Sequence, residues 1–253
     1  MQSSTPGGAR RGPRRVRIAA LTLILGIGAV AGFSGSSALA AASWCQSVPL
    51  PTVNRPGTVL LRDNFESGSL SRWRVVDNGD AWAGVTNSRD HTGRCAGRLK
   101  VTSSSTSRAN VQKALPTGTN DVWAVGWFRV DKQGSWGSNV PTFRFFNGST
   151  RLADVHRQNS TGELFLRTRT SSGSWRYVKL NRRMSLYTWH RVDIYVRPAW
   201  RSSAISIAVD GQWLYRTTSA YLPASRLTTV MIGAEHYRQV MDLSFDDVFI
   251  TAP

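Results

Sequence analysis

The sequence predicts an all-β protein, an antiparallel sandwich or barrel, and three observations predict it. Beyond the first 42 residues no long stretch keeps the i, i+3, i+4, i+7 spacing of an amphipathic helix. Short β-rich runs recur instead, divided by clusters of Gly, Ser, Asn and Asp. Several of these runs alternate apolar and polar residues with a period of two, as an antiparallel strand does when one face is buried.

In chain order, a proline-punctuated arm at 43–57, with Pro49, Pro51 and Pro56, leads into the first run. Runs with strand character fall at 58–65, 72–77, 97–102, 108–114, 121–131, 141–147, 151–158, 163–170, 175–180, 188–197, 203–209, 212–217, 227–233 and 240–250. Within 188–197, Val192, Ile194 and Val196 face one way and Arg191, Asp193, Tyr195 and Arg197 the other. Within 203–209, Ile205, Ile207 and Val209 alternate with Ser206 and Ala208. Asp210-Gly211 reads as a tight hairpin turn, and Asn147-Gly148 and Ser172-Gly173 read similarly. Evenly spaced short strands with this punctuation mean a sandwich or a barrel in a single domain over 58–253.

The first 42 residues do not belong to that domain. Arg10, Arg11, Arg14, Arg15 and Arg17 precede an apolar run at 18–33, and small residues follow, with Ala38-Leu39-Ala40 and Ala40-Ala41-Ala42 as cleavage sites. This is the three-part pattern of a secretory signal peptide, with an uncleaved anchor as the alternative. The apolar run is shorter than the roughly 20 residues of a membrane span, and no later run approaches that length. The expectation is a secreted mature chain without a membrane span. Arg14-Arg15 raises the twin-arginine export route, although Val16-Arg17 after it fits that signal poorly.

Cys45 and Cys95 are the only cysteines. In an oxidising compartment they predict one disulfide, tying the N-terminal arm to the body. Two cysteines are too few for a closed structural zinc site.

Against 15 acidic residues the chain has 32 basic ones, a net charge of +17. Without the five leading arginines the balance is 27 against 15, or +12. Arginine far outnumbers lysine, which suits bidentate pairing with carboxylate or sulfate. The partner class is a polysaccharide, with an anionic one favoured. Nucleic acid is the weaker partner, since no recognised binding motif is present. Arginine-rich codon usage is the plain alternative, and the oligomeric state is not legible.

The motifs then resemble a known family. Asp63-Asn64-Phe65-Glu66-Ser67-Gly68-Ser69-Leu70 followed by Trp73 resembles the opening strand of secreted concanavalin A-like (laminin-G-like) jelly rolls. Thr188-Trp189-His190-Arg191-Val192-Asp193 and then Val209-Asp210-Gly211 resemble the middle of that fold. Ile232-Gly233-Ala234-Glu235 and Leu243-Ser244-Phe245-Asp246-Asp247-Val248 resemble its last strands. The resemblance implies a two-sheet antiparallel jelly-roll β-sandwich, one sheet concave, with the terminal strands paired. Lectins, carbohydrate-binding modules, glucanases and polysaccharide lyases share that fold, so fold alone does not choose among them.

A retaining glycosidase needs two carboxylates about 5 Å apart. Only three glutamates exist, Glu66, Glu163 and Glu235, and none follows the Glu-x-Asp-x-x-Glu spacing of the laminarinase-type motif. A lyase instead needs a group that neutralises a uronate carboxylate, a base and an acid, which Arg, His and Tyr supply. Alternation turns Arg144, Asp154, His156, Arg167 and Arg169 away from the core if Phe143, Phe145, Ala153, Val155, Leu164 and Leu166 point into it. Glu235-His236-Tyr237-Arg238 lies at a strand end. Arg144, His156, Arg167 and Tyr237 are the candidate catalytic set, and with Asp154, Arg169, Glu235, Trp136 and Trp175 they are the candidate carbohydrate-binding set. A solvated arginine-rich face with a stray histidine is the competing reading. The Gln-x-His strand and the Tyr-rich terminal strand of lyases are not matched.

Trp82, Trp136 and Trp175 lie in loop-like settings with small neighbours and suit sugar rings, or serve as lids on the core. Trp123, Trp127 and Trp189 read as core, His190 as structural and His91 as surface. Glu66 with Asp246 and Asp247 forms a candidate structural calcium site, since hard cations take several carboxylate oxygens. The alternative for the aspartates is hydrogen bonding to loop backbone. Two functions stand at this point: a carbohydrate-binding protein without activity, and a polysaccharide enzyme with lyase ahead of glycoside hydrolase.

Overall fold

A computed structural model describes residues 44–253 except 46, 47, 51 and 135–137. The leader assigned to 1–42 and Trp136 therefore lie outside the described residues. The strands are β1 (Thr58–Asp63), β2 (Arg74–Asn78), β3 (Trp82–Thr86), β4 (Ala96–Val101), β5 (Arg108–Ala114), β6 (Val122–Lys132), β7 (Val140–Asn147) and β8 (Thr150–Arg157). They continue with β9 (Glu163–Arg169), β10 (Trp175–Arg183), β11 (His190–Arg197), β12 (Trp200–Val209), β13 (Gln212–Leu222), β14 (Thr229–Gly233) and β15 (Met241–Ala252). There is no helix among the described residues, so none is long and apolar enough to cross a membrane.

Two antiparallel sheets form the sandwich. The first runs β13-β12-β11-β6-β15-β4-β3, with β1 added on β15, so the terminal strands pair. The second runs β10-β9-β8-β7-β14-β5-β2. Between them lies the core that the alternation marks out. Val192, Ile194 and Val196 of β11 and Ile205, Ile207 and Val209 of β12 enter from the first sheet. Val111 of β5, Phe143 and Phe145 of β7, Val155 of β8 and Leu166 of β9 enter from the second.

The Asp210-Gly211 turn falls where the sequence places it, and the β7–β8 turn falls one residue after the expected Asn147-Gly148, at Gly148-Ser149. Asp210 and Gly211 both take positive φ, 51° and 80°, as a two-residue turn whose twist matches its strands requires. Cys45 and Cys95 form the disulfide.

The sequence reading missed β3. Its Trp82-Ala83-Gly84-Val85-Thr86 carries two small residues in the middle, which hides the strand pattern. Gly84 is small for a reason: a Cβ there would sit 2.5 Å from the Trp82 ring. Trp82 thus opens a strand instead of standing in a loop. Trp123, Trp127 and Trp189 are half-buried and do not belong to the core. On β6 the core positions are Val122, Ala124, Phe128 and Val130, so period two turns Trp123 and Trp127 outward. His91, expected at the surface, is stacked on Trp127 with ring centroids 3.9 Å apart. His190 is structural, as expected: its Nδ1 meets Asp210 at 2.9 Å and its Nε2 accepts from the Ser185 amide.

Candidate functional site

The outer face of the second sheet holds one registered row across all seven strands. Arg74 pairs with Gln112, Gln112 with Met231 and Met231 with Arg144. Arg144 then pairs with Asp154, Asp154 with Arg167 and Arg167 with Tyr177. Alternation within each strand decides which residues face out, and the register aligns them.

Asp154 is the centre of the charged half. It is fully buried, 0% exposed, and accepts from Arg167 Nε at 3.0 Å and Nη2 at 2.8 Å. Arg151 Nε lies 3.1 Å away in ion-pair range, and His156 Nδ1 lies 2.9 Å from the other carboxylate oxygen. Arg151 and Asp154 are three apart, and on a straight strand they would face opposite ways. The pairing slips by one residue between Phe145 and Phe146, which puts Leu152 in a bulge and both charges on one face. Burial pushes the Asp154 carboxyl up, but the His156 hydrogen bond and the charges of Arg144 and Arg167 outweigh it, so Asp154 stays ionised.

Arg144 is 1% exposed, and burial pushes it down to about 10 against the pull of Asp154 and Glu235. It remains a cation near neutral pH, with Nη1 3.2 Å from Glu235 and Nη2 3.2 Å from Gln239. Arg151 also pairs with Glu235. This is a packed ionic network, which overturns the reading of a solvated arginine-rich face at these positions. Breaking such a network by removing its shared anion costs about 3–5 kcal/mol, because buried cations lose their partner.

Burial lowers the pKa of His156, and Asp154 only partly offsets it. The ring is neutral at pH 7. Because Asp154 is a carboxylate, Nδ1 carries the proton and donates it, which leaves Nε2 as the basic nitrogen. His156 lines a recess of about 170 Å³ together with Arg144, Arg167, Tyr237, His236 and Gln239. Tyr237 is 47% exposed, and the Arg108 guanidinium lies 4.6 Å from its ring centroid.

The remaining candidates fall beside this recess. Arg169 and Trp175 are register partners, and Trp175 opens β10 instead of standing in a loop. Its ring is covered by the guanidinium groups of Arg169 at 3.8 Å, Arg151 at 4.4 Å and Arg167 at 4.8 Å. The structure therefore brings Arg144, Asp154, His156, Arg167, Arg169, Trp175, Glu235 and Tyr237 onto one face. It adds Arg151, Tyr177, Arg108, Asn110, Gln112 and Gln239, which the sequence reading left out. Arg108, Asn110 and Gln112 were within reach, since they alternate with Ala109 and Val111. Arg151 was not, because only the bulge turns it outward.

Glu66, Asp246 and Asp247 do not make one donor set among the described residues. Glu66 Oε1 accepts from the amides of Arg94 and Cys95 at 2.7 and 2.8 Å. Asp246 Oδ2 accepts from those of His91 and Thr92, and Asp247 binds the His91 ring and the Thr92 hydroxyl. Groups that donate hydrogen to these oxygens repel a cation. Burial and the adjacent Asp247 charge push Asp246 up to about 8. The three residues clamp the 91–95 loop, and they do not fit a shared calcium shell. Glu66 also comes close to Cys45 and Cys95, but those sulfurs are spent on the disulfide.

No protein-family model matches the chain, and no curated protein sequence matches it. Its structure is similar to an endo-β-1,4-glucuronan lyase from the fungus Trichoderma reesei, with a TM-score of 0.59, 14% identity, and 78% of this chain and 96% of that one covered. It is also similar to Cip1, a cellulose induced protein, at TM-score 0.58 and 17% identity, covering 76% of this chain and 96% of that one. A sialidase matches at TM-score 0.57 and 14% identity, with 75% of this chain lying on 18% of the longer one. At such identities the likeness shows the fold alone, a jelly-roll β-sandwich.

Proposed function

We propose that this protein binds an acidic polysaccharide outside the cell, on the outer face of its second sheet. One observation carries the reading: the registered row that aligns Arg74, Arg144 and Arg167 beside a recess lined by His156 and Tyr237. Arginines at fixed spacing suit the carboxylates of a uronic acid chain, and Tyr177, 52% exposed, offers a ring face to a sugar. The disulfide and the leader pattern support export. The fold shared with a glucuronan lyase agrees with a carbohydrate ligand.

A second reading, polysaccharide lyase, is favoured by the neutral His156 whose Nδ1 is fixed by Asp154. In β-elimination Nε2 of His156 would take the C5 proton. The C4–oxygen bond would break as the C4–C5 double bond forms, and Tyr237 would give its proton to the leaving oxygen. Arg167, the more exposed of the two arginines lining the recess, would hold the carboxylate. Glycoside hydrolase loses support, because Asp154 is held ionised and Glu235 is engaged by two arginines.

Incubation with polyuronates and neutral glycans tests both readings. Retention on polyuronate without cleavage is the expected result. A rise in ultraviolet absorbance from an unsaturated uronide would establish the lyase, and retention on neutral glycans alone would overturn the acidic-ligand reading.

A further inference from the structure

The second sheet carries another recess on its β2–β5–β14 side. It measures about 310 Å³ and is lined by Arg74, Arg108, Asn110, Gln112 and Glu235, among others. Its floor is built rather than accidental. Asn110, 2% exposed, donates Nδ2 to the Ala234 carbonyl at 2.7 Å and accepts from Gln112 Nε2 at 2.8 Å.

The charge balance of the two recesses differs. Around His156, Arg144, Arg151 and Arg167 are each paired with Asp154 or Glu235. Arg74 and Arg108 make no ion pair among the described residues. Arg108 touches the Asn78 amide oxygen through Nη2, and its buried Nε makes no hydrogen bond. Glu235 borders this recess, but its Oε2 already serves Arg144 and Arg151. Two cations without a counter-charge thus border a cavity with room for a sugar substituent.

We propose that Arg74 and Arg108 hold a second anionic group of the same glycan, a carboxylate or a sulfate ester. The inference rests on the acidic-polysaccharide reading and deepens it. Arg74 and Arg144 belong to one row and stand three strand steps apart, about 14 Å at the usual strand spacing, so the ligand spans several sugar rings across the strands. Recognition therefore depends on chain length as well as charge. The Arg108 guanidinium on the Tyr237 ring makes one wall common to both recesses.

Calorimetry with disaccharides and hexasaccharides of galacturonate, and with sulfated oligosaccharides of the same lengths, tests it on the wild type and on the Arg74→Gln/Arg108→Gln variant. The hexasaccharide should weaken about tenfold or more in the double variant and the disaccharide by less, as expected for loss of a charge-assisted contact only the longer chain makes. Which acid series shows the effect identifies the anion. Arg74→Gln alone, a change at an exposed side chain, should show the same length dependence to a smaller degree. Equal losses for both lengths, or no loss for the hexasaccharide, would overturn this inference and leave the acidic-ligand reading intact. Failure of the wild type to bind any acidic oligosaccharide would overturn both.

Discussion

At the residue scale, Asp154 and His156 set the behaviour of the face. A buried carboxylate shared by two arginines and a neutral imidazole is held together by its charges, so pH acts on it directly. Folding lowers the pKa of His156 from 6.5, so below 6.5 the unfolded chain takes a proton that the folded chain resists. The His156 contribution is intact above pH 6.5 and is lost as pH falls through that value toward the lowered one. Asp154, also lowered, adds a loss that begins below 3.8. Relative to the wild type, the melting temperature of His156→Gln should therefore rise as pH falls below 6.5; the raised Asp246 carboxyl pulls both proteins the other way and cancels in the difference. Parallel curves for the two proteins would contradict the buried neutral imidazole.

At the element scale, alternation within a strand is what the sequence makes legible. Period two assigned Arg144, Asp154, His156 and Arg167 to the outward side of β7, β8 and β9, and the register then joined them. Register between strands is not written in any one strand. The bulge at Leu152 turned Arg151 onto the face with no local sign, and β3 was missed because Ala83 and Gly84 carry almost no β signal. Tryptophans misled for a related reason: large aromatics suit the half-buried outer face of a sheet as well as its core, and Trp123 and Trp127 took the outer side. Close packing between strands also appears at a glycine. Gly97 of β4 is the register partner of Phe245 on β15, and a Cβ there would come within 2.5 Å of the Phe245 ring. Gly97→Val should cost about 1–3 kcal/mol through overpacking. Thermal unfolding checks this, and an unchanged midpoint would show that the Phe245 ring has room to yield.

At the scale of the whole molecule, the two sheets present different outer faces. The first carries aromatic residues, with Trp123 against Tyr195 and Arg55 of the N-terminal arm stacked on Trp123 and paired with Asp193. The second carries the ionic row and both recesses. The arm is held at its other end by the disulfide, whose cysteines lie 50 positions apart. Chain-entropy arithmetic gives that bridge about 4 kcal/mol. Reduction should then lower the melting temperature by about 10 °C, and a shift of only a degree or two would mean that the arm contributes little to the fold.

The central claim concerns a face and not a net charge, so the direct measurement compares faces. Polyuronate affinity is measured by calorimetry for the wild type, for Arg169→Ala/Tyr177→Ala at the edge of the second sheet, and for Arg216→Ala, whose guanidinium stacks on Trp213 of the first sheet. The account predicts at least a tenfold loss for the double variant and wild-type affinity for Arg216→Ala. Equal losses at the two faces, or full affinity in the double variant, would contradict it.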